Sequence, residues 1–156
     1  GGKDVTSVIE VIEAMSKTNE EIEQFIYDAL APLLAKDVRE EETISGDLYP
    51  EDCRPLDSQL EDAVIAVGEG FPDQIQSGRA RINIYVPDID CGFGRKVKDK
   101  QRCQELAALD KEILRLVKAA DDQFHWRLSR NTSTIADPNI GQHLVNVTLA
   151  FNFNNE

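Results

Sequence analysis

Arg79-Ala-Arg-Ile-Asn-Ile-Tyr-Val-Pro87 reads as a strand with one buried face. Ala80, Ile82, Ile84 and Val86 alternate with Arg81, Asn83 and Tyr85, the two-residue period of a pleated backbone, and Pro87 ends the run because it cannot donate to a ladder. Toward the C-terminus, Val145, Val147, Leu149, Phe151 and Phe153 alternate in the same way with Asn146, Thr148, Ala150 and Asn152. Phe124, Trp126 and Leu128 alternate with His125, Arg127 and Ser129, and the turn residues of Ala136-Asp137-Pro138-Asn139-Ile140-Gly141 join these two strands as a hairpin. Upstream, Ala63-Val64-Ile65-Ala66-Val67 before Gly68 and Gly70 forms a second hairpin with Arg79–Val86, connected through Phe71–Gly78. Leu48-Tyr49 is a weak edge element, and Pro50 and Pro55 bracket a loop that runs to about Gln59.

A sheet with one apolar face needs a helical cover, and the sequence supplies it. Val5, Val8, Ile9, Ile12 and Met15 recur at helical spacing. Thr18, followed three residues later by Glu21, has the form of a capping box and opens a second helix with the stripe Ile22, Phe25, Ile26, Ala29, Leu30 and Leu33. Pro32 lacks an N–H and predicts a kink or early end there. The acidic stretch Arg39–Glu42 is expected to be exposed. The longest helix is expected over about Lys100–Asp121, burying Leu106, Leu109, Ile113, Val117 and Ala120. The expected fold is α+β: an antiparallel or mixed sheet of four to five strands with helices packed on one face. Residues 1–156 read as a single domain, with 1–17 an accessory N-terminal helix and 18–154 the core.

The chain has 156 residues, enough to bury about two-thirds of its unfolded surface. Its 41% hydrophobic content excludes collagen-like and disordered classes, and no apolar run approaches the roughly 18 residues that span a bilayer. The net charge is −12, and it is not evenly spread. Through Asp52 there are 14 acids against 4 bases, a balance of −10; the remainder has 15 against 13, or −2. Arg95, Lys96, Lys98, Lys100 and Arg102 lie within eight residues interrupted only by Asp99. Such acidity repels phosphate backbones and argues against nucleic-acid binding, unless the basic stretch acts alone. That stretch reads either as a solvated loop entering a helix or as a subunit-interface arm whose charge complements the acidic third of another copy.

Catalytic chemistry is scarcely represented. Asp88-x-Asp90-x-Gly92 resembles the start of a calcium loop, but its glycine falls one position early and no Glu stands at the twelfth position. Gly92-Phe93-Gly94 followed by bases lacks the spacing of a phosphate-binding loop. His125 and His143 lie on strands, His125 opposite the Phe124/Trp126 face and His143 at the edge of the core, with no nucleophile motif beside either. Cys53, Cys91 and Cys103 are odd in number and without Cys-x-x-Cys spacing, which argues against a disulfide framework and a thiolate metal site and is most simply a reducing cytoplasm. Gly1-Gly2-Lys3 lacks an initiator Met and reads as a processed end. Phe124, Trp126, Phe151 and Phe153 are most economically core, as cross-strand neighbours.

Several strings occur together in a suggestive order. Asp28-Ala-Leu-Ala-Pro-Leu-Leu ends a helix and is followed by Ile44-Ser-Gly-Asp-Leu-Tyr-Pro50. After these come the hairpin ending Arg81-Ile-Asn-Ile-Tyr-Val-Pro87, an amphipathic helix, and a closing hairpin ending His143-Leu-Val-Asn-Val-Thr-Leu-Ala-Phe-Asn-Phe153. Over about Asn19–Asn154 this resembles the tail completion or tail terminator (head–tail joining) proteins of tailed bacteriophages, in which a helix feeds a Gly-x-x-Tyr-Pro-like segment. The resemblance implies a structural subunit of a phage or prophage tail. Such subunits assemble into a ring, commonly a hexamer, that completes the tail tube and joins it to the head connector. It implies no catalysis and no cofactor or metal, with the host cytoplasm as the site of assembly and the virion tail as the destination. The helix before Asn19 and the long loop Asp88–Lys100 depart from the pattern. An acidic inner wall would suit a ring through which DNA passes without sticking. The alternative is a small non-catalytic ligand-binding or regulatory module, dimeric through its sheet, with the Cys91 loop as a lid.

Overall fold

The computed structural model describes residues 18–68 and 77–153. The helix expected over Val5–Met15 and most of the Phe71–Gly78 connection lie outside them. Chain order is α1 (Asn19–Leu34), β1 (Leu48–Pro50), β2 (Ala63–Gly68), β3 (Ser77–Pro87), β4 (Ile89–Asp90), β5 (Lys96–Val97), α2 (Lys100–Ala107), α3 (Asp110–Ala120), β6 (Phe124–Leu128), β7 (Ser133–Asp137) and β8 (Gln142–Phe153).

The fold is α+β, with a six-stranded mixed sheet and a separate two-stranded ribbon of β4 and β5. The sheet runs β1-β2-β3-β8-β6, with β7 also on β8; only the β1–β2 pair is parallel. Strand β8 is its spine. It pairs along its length with β3 on one side, while β6 and β7 lie end to end on the other. The closing hairpin turns where expected, between Asp137 and Gln142. Its first strand, however, is interrupted: Leu128 pairs with Leu149 and Ser133 with Asn146, so this side spends two residues more than its partner. This bulge, a device that re-aims a strand, is why the sheet has six strands rather than four to five. Thr132 inside it donates to Asp110 Oδ2 at 2.8 Å, tying it to the start of α3.

The core lies between the helices and the sheet face bearing Ile65, Ile82, Val147 and their neighbours. Thr18 caps α1 as expected, its Oγ1 accepting from the Glu21 amide at 3.2 Å. Ile22, Ile26, Leu30 and Leu34 are buried, and α1 stops two residues after Pro32. Its last carbonyls are not left bare. Arg39 Nη1 donates to Leu34 O (2.7 Å) and Gly46 O (2.8 Å), and Thr43 Oγ1 donates to Leu33 O. Arg39 is therefore half-buried, unlike the exposed Glu40–Glu42 beside it.

The expected single helix over Lys100–Asp121 is two helices. The Leu109 amide reaches back three residues to Leu106 O (3.1 Å) instead of four, tightening the chain at Ala108-Leu109. The two halves have different partners: α2 packs on β3 and β8, and α3 packs on α1 and β6. A seven-residue step separates Leu106 from Ile113, so periodicity alone does not reveal the break. Leu106, Ile113 and Val117 are buried as expected and Cys103 joins them, but Ala120 is exposed.

At the other end of the sheet, Trp126 lies 4.9 Å from Phe151 and Phe124 5.3 Å from Phe151, ring centre to ring centre. Gly78 is required beside them, because a Cβ there would stand 2.8 Å from Phe151 Cζ. Asn146, Thr148 and Ala150, on the opposite face of β8, are buried too. Among the described residues no helix covers that face. Asn146 donates to Asn83 Oδ1 and accepts from Thr148 Oγ1, both at 2.7 Å, so this burial is hydrogen-bonded.

Candidate functional site

The polar stretch Asp88–Lys100, read from sequence as a loop, contains an ordered arm. Ile89 pairs with Val97 and Asp90 with Lys96 to make the β4–β5 ribbon. Its tip is built by backbone chemistry. Gly92, Phe93 and Gly94 all have positive φ (99°, 61° and 74°), a run that glycine tolerates and that turns the chain within five residues. The Cys91 amide donates to Arg95 O at 2.9 Å, and Asp90 Oδ1 accepts from the Gly92 amide at 2.8 Å. Phe93 is left fully exposed at the tip, with Ile89 and Val97 exposed behind it. Arg95 and Lys96 flank them in solvent, with Lys98 half-exposed at the base.

The root of the arm is fixed. The Asp88 amide donates to Gly141 O (3.1 Å), and Asp88 Oδ1 lies 2.7 Å from His143 Nδ1, joining the arm to the turn before β8. Asp99 caps α2 by accepting from the Arg102 amide at 3.1 Å. Asp88 and Asp90 thus have structural partners, and among the described residues no group of three His, Cys, Asp or Glu side chains is placed to hold a metal. His125 is exposed on the outer sheet face, far in sequence register from His143. Cys53 and Cys91 are exposed, whereas burial pushes the Cys103 thiol up.

The five bases do not form one group. Arg95, Lys96 and Lys98 belong to the arm; Lys100 is exposed on the first turn of α2; Arg102 is withdrawn altogether. Its guanidinium donates to both Glu61 carboxylate oxygens (2.6 and 2.8 Å), to Glu105 (3.0 Å) and to Thr43 O (2.9 Å). The hydrogen bond to Glu61 raises its pKa, so Arg102 is a clamp between α2 and the segment before β2. Sequence spacing places it with the other bases because α2 begins inside the cluster, and only the helix direction separates them.

The acidic third divides similarly. Glu20, Glu21, Asp28, Asp37 and Glu40–Glu42 are exposed along α1 and the loop after it. Others serve the fold: Asp47 Oδ1 accepts from the Lys36 and Leu48 amides at 2.8 Å, and Glu23 Oε1 accepts from the Glu51 amide at 2.9 Å. Between α1 and β1 lies a groove lined by Glu20, Glu23, Gln24, Tyr27 and Pro50. Burial first, and then Asp47, Asp28 and Asp37, raise the Tyr27 pKa, a sign of negative potential around its ring. Sequence reading missed the exposed Phe93, Ile89 and Val97 as one apolar edge, although an aromatic between two glycines in a polar loop was a usable signal.

No protein-family model matches the chain, and no curated protein matches it in sequence.

Proposed function

We propose that this protein is a structural subunit that assembles with copies of itself into a ring, and that the ring completes the tail tube of a phage or prophage and joins it to the head connector. The observation that carries the reading is the arm. It places Phe93, Ile89 and Val97 in solvent beside Arg95 and Lys96, a grouping with no role inside its own chain and the composition of a docking element. The acidic surface that complements it is on α1, not on the arm, and an unlike pair of surfaces on one chain joins copies head to tail, the arrangement that closes into rings. The strings that resemble the tail-terminator pattern also have structural employment: Pro32 ends α1, and Gly46 admits the contacts that seat β1.

The test is solution mass by light scattering across protein concentration at low and high salt, with Lys96→Glu/Lys98→Glu as the variant. A discrete oligomer larger than a dimer, weakened by salt and lost in the variant, is expected. An oligomer that ignores both salt and charge reversal removes the arm from the assembly, and a salt-insensitive dimer removes the ring.

A further inference from the structure

We propose that the tip of the arm seats in the groove between α1 and β1 of a neighbouring copy, Phe93 against Tyr27 and Pro50, with Arg95 and Lys96 meeting Glu20 and Glu23. This rests on the reading that copies of the chain assemble with one another, and it names the surface that receives the arm.

Three observations point to this seat. The chemistry matches on both sides: an exposed aromatic flanked by bases, and a groove of about 430 Å³ with apolar residues at its floor and carboxylates at its rim. The two features are also well separated on one chain. Pro50 pairs with Ile65 and Ile65 with Ile82, five residues before the end of β3 where the arm leaves. At strand geometry that is roughly 17 Å along the sheet and about 10 Å across it. Separated, unlike surfaces are what a head-to-tail contact requires. The negative potential registered at Tyr27 is the third, since it favours the arriving bases.

A second acid-rimmed groove, lined by Pro32, Leu33, Val38, Glu40, Glu41 and Thr43, fits less well. Thr43 is bound by Arg102 of α2, the helix that the arm runs into, so this groove adjoins the root of the same chain's arm. Docking there would be reciprocal and would stop at a dimer.

Cross-linking tests the seat. Two preparations, both carrying Cys53→Ser and Cys91→Ser, are mixed under mild oxidation, one with Phe93→Cys and the other with Gln24→Cys. A disulfide forms only when the two Cβ atoms come within about 4 Å. The expected result is a mixed disulfide at least fivefold more abundant than the one formed when Val38→Cys replaces Gln24→Cys. Equal or weaker cross-linking at Gln24→Cys overturns the seat, and does so without touching the ring if light scattering still finds a closed oligomer. A chain carrying both Phe93→Cys and Gln24→Cys separates the two ideas from the other side. A series of covalent species above the dimer supports both, whereas a series that ends at the dimer keeps the seat and removes the ring.

Discussion

Asp62 has almost no exposure, yet it accepts from Arg54 Nε (2.8 Å), Ser58 Oγ (2.5 Å) and the Asp47 amide (2.9 Å). Arg54 in turn donates to Gln142 Oε1 (2.9 Å) and lies 3.9 Å over the Tyr85 ring. A single carboxylate thus holds the proline-bracketed loop against the sheet. Asp62→Ala leaves the Arg54 charge buried without its partner, and a loss of about 3–5 kcal/mol in denaturant unfolding is expected. Gly46 sits against the same carboxylate: a Cβ there would fall 2.0 Å from Asp62 Oδ1 and 2.6 Å from Glu61 O. Since neither atom is free to move, Gly46→Ala is expected to cost about 2–4 kcal/mol, read as a lowered Tm. The sequence marks Ser45-Gly46-Asp47 only as a turn. That its glycine is a matter of space rather than backbone angle follows from a contact 16 residues along the chain, which no local pattern carries.

At the scale of elements, α2 depends on its clamp. Arg102→Met removes charge-assisted bonds to Glu61, and a loss on the order of 2 kcal/mol is expected. Glu105, on the same helix, is held below its ordinary pKa of 4.5, first by the Arg102 hydrogen bond and then by Gln101. Its folded form therefore binds protons less readily than its unfolded form. The stability this contributes is fully present above 4.5 and disappears as pH falls through the lower folded-state value. Glu105→Gln should be slightly less stable than the parent at pH 7 and indistinguishable from it in strong acid, as thermal melts across pH would report. The break between α2 and α3 is held partly from outside, by Thr132 on Asp110. Thr132→Val is expected to cost about 1 kcal/mol and to raise amide exchange in the β6–β7 bulge, while leaving α1 protected. Element types were largely readable because strands and helices carry different periods, as at Ala80–Val86 and Ile22–Leu30. The bulge and the helix break were not, because each keeps the hydrophobic phase on both sides and differs only in what it touches.

At the scale of the whole molecule, the −12 charge of the chain resolves into an exposed acidic flank on α1 and a projecting arm with three bases. Raising salt should dissociate the expected oligomer in a graded way, since exposed charges about 10 Å or more apart are screened at ordinary ionic strength. Phe93→Ser should weaken the same oligomer at every salt level, because the apolar contribution is not screened; sedimentation at two ionic strengths separates the effects. Among the described residues no helix is long and apolar enough to cross a membrane. The sequence alone determined the α+β class, the strand and helix faces, the cap at Thr18 and the polarity of charge along the chain, because each depends on neighbours a few residues apart. Only the tertiary structure decided that Arg102 leaves the basic cluster for Glu61, that Asp62 organises a loop, and that Phe93 stands clear at the end of a ribbon. Those outcomes depend on which distant residues meet, and on what each contact removes from water.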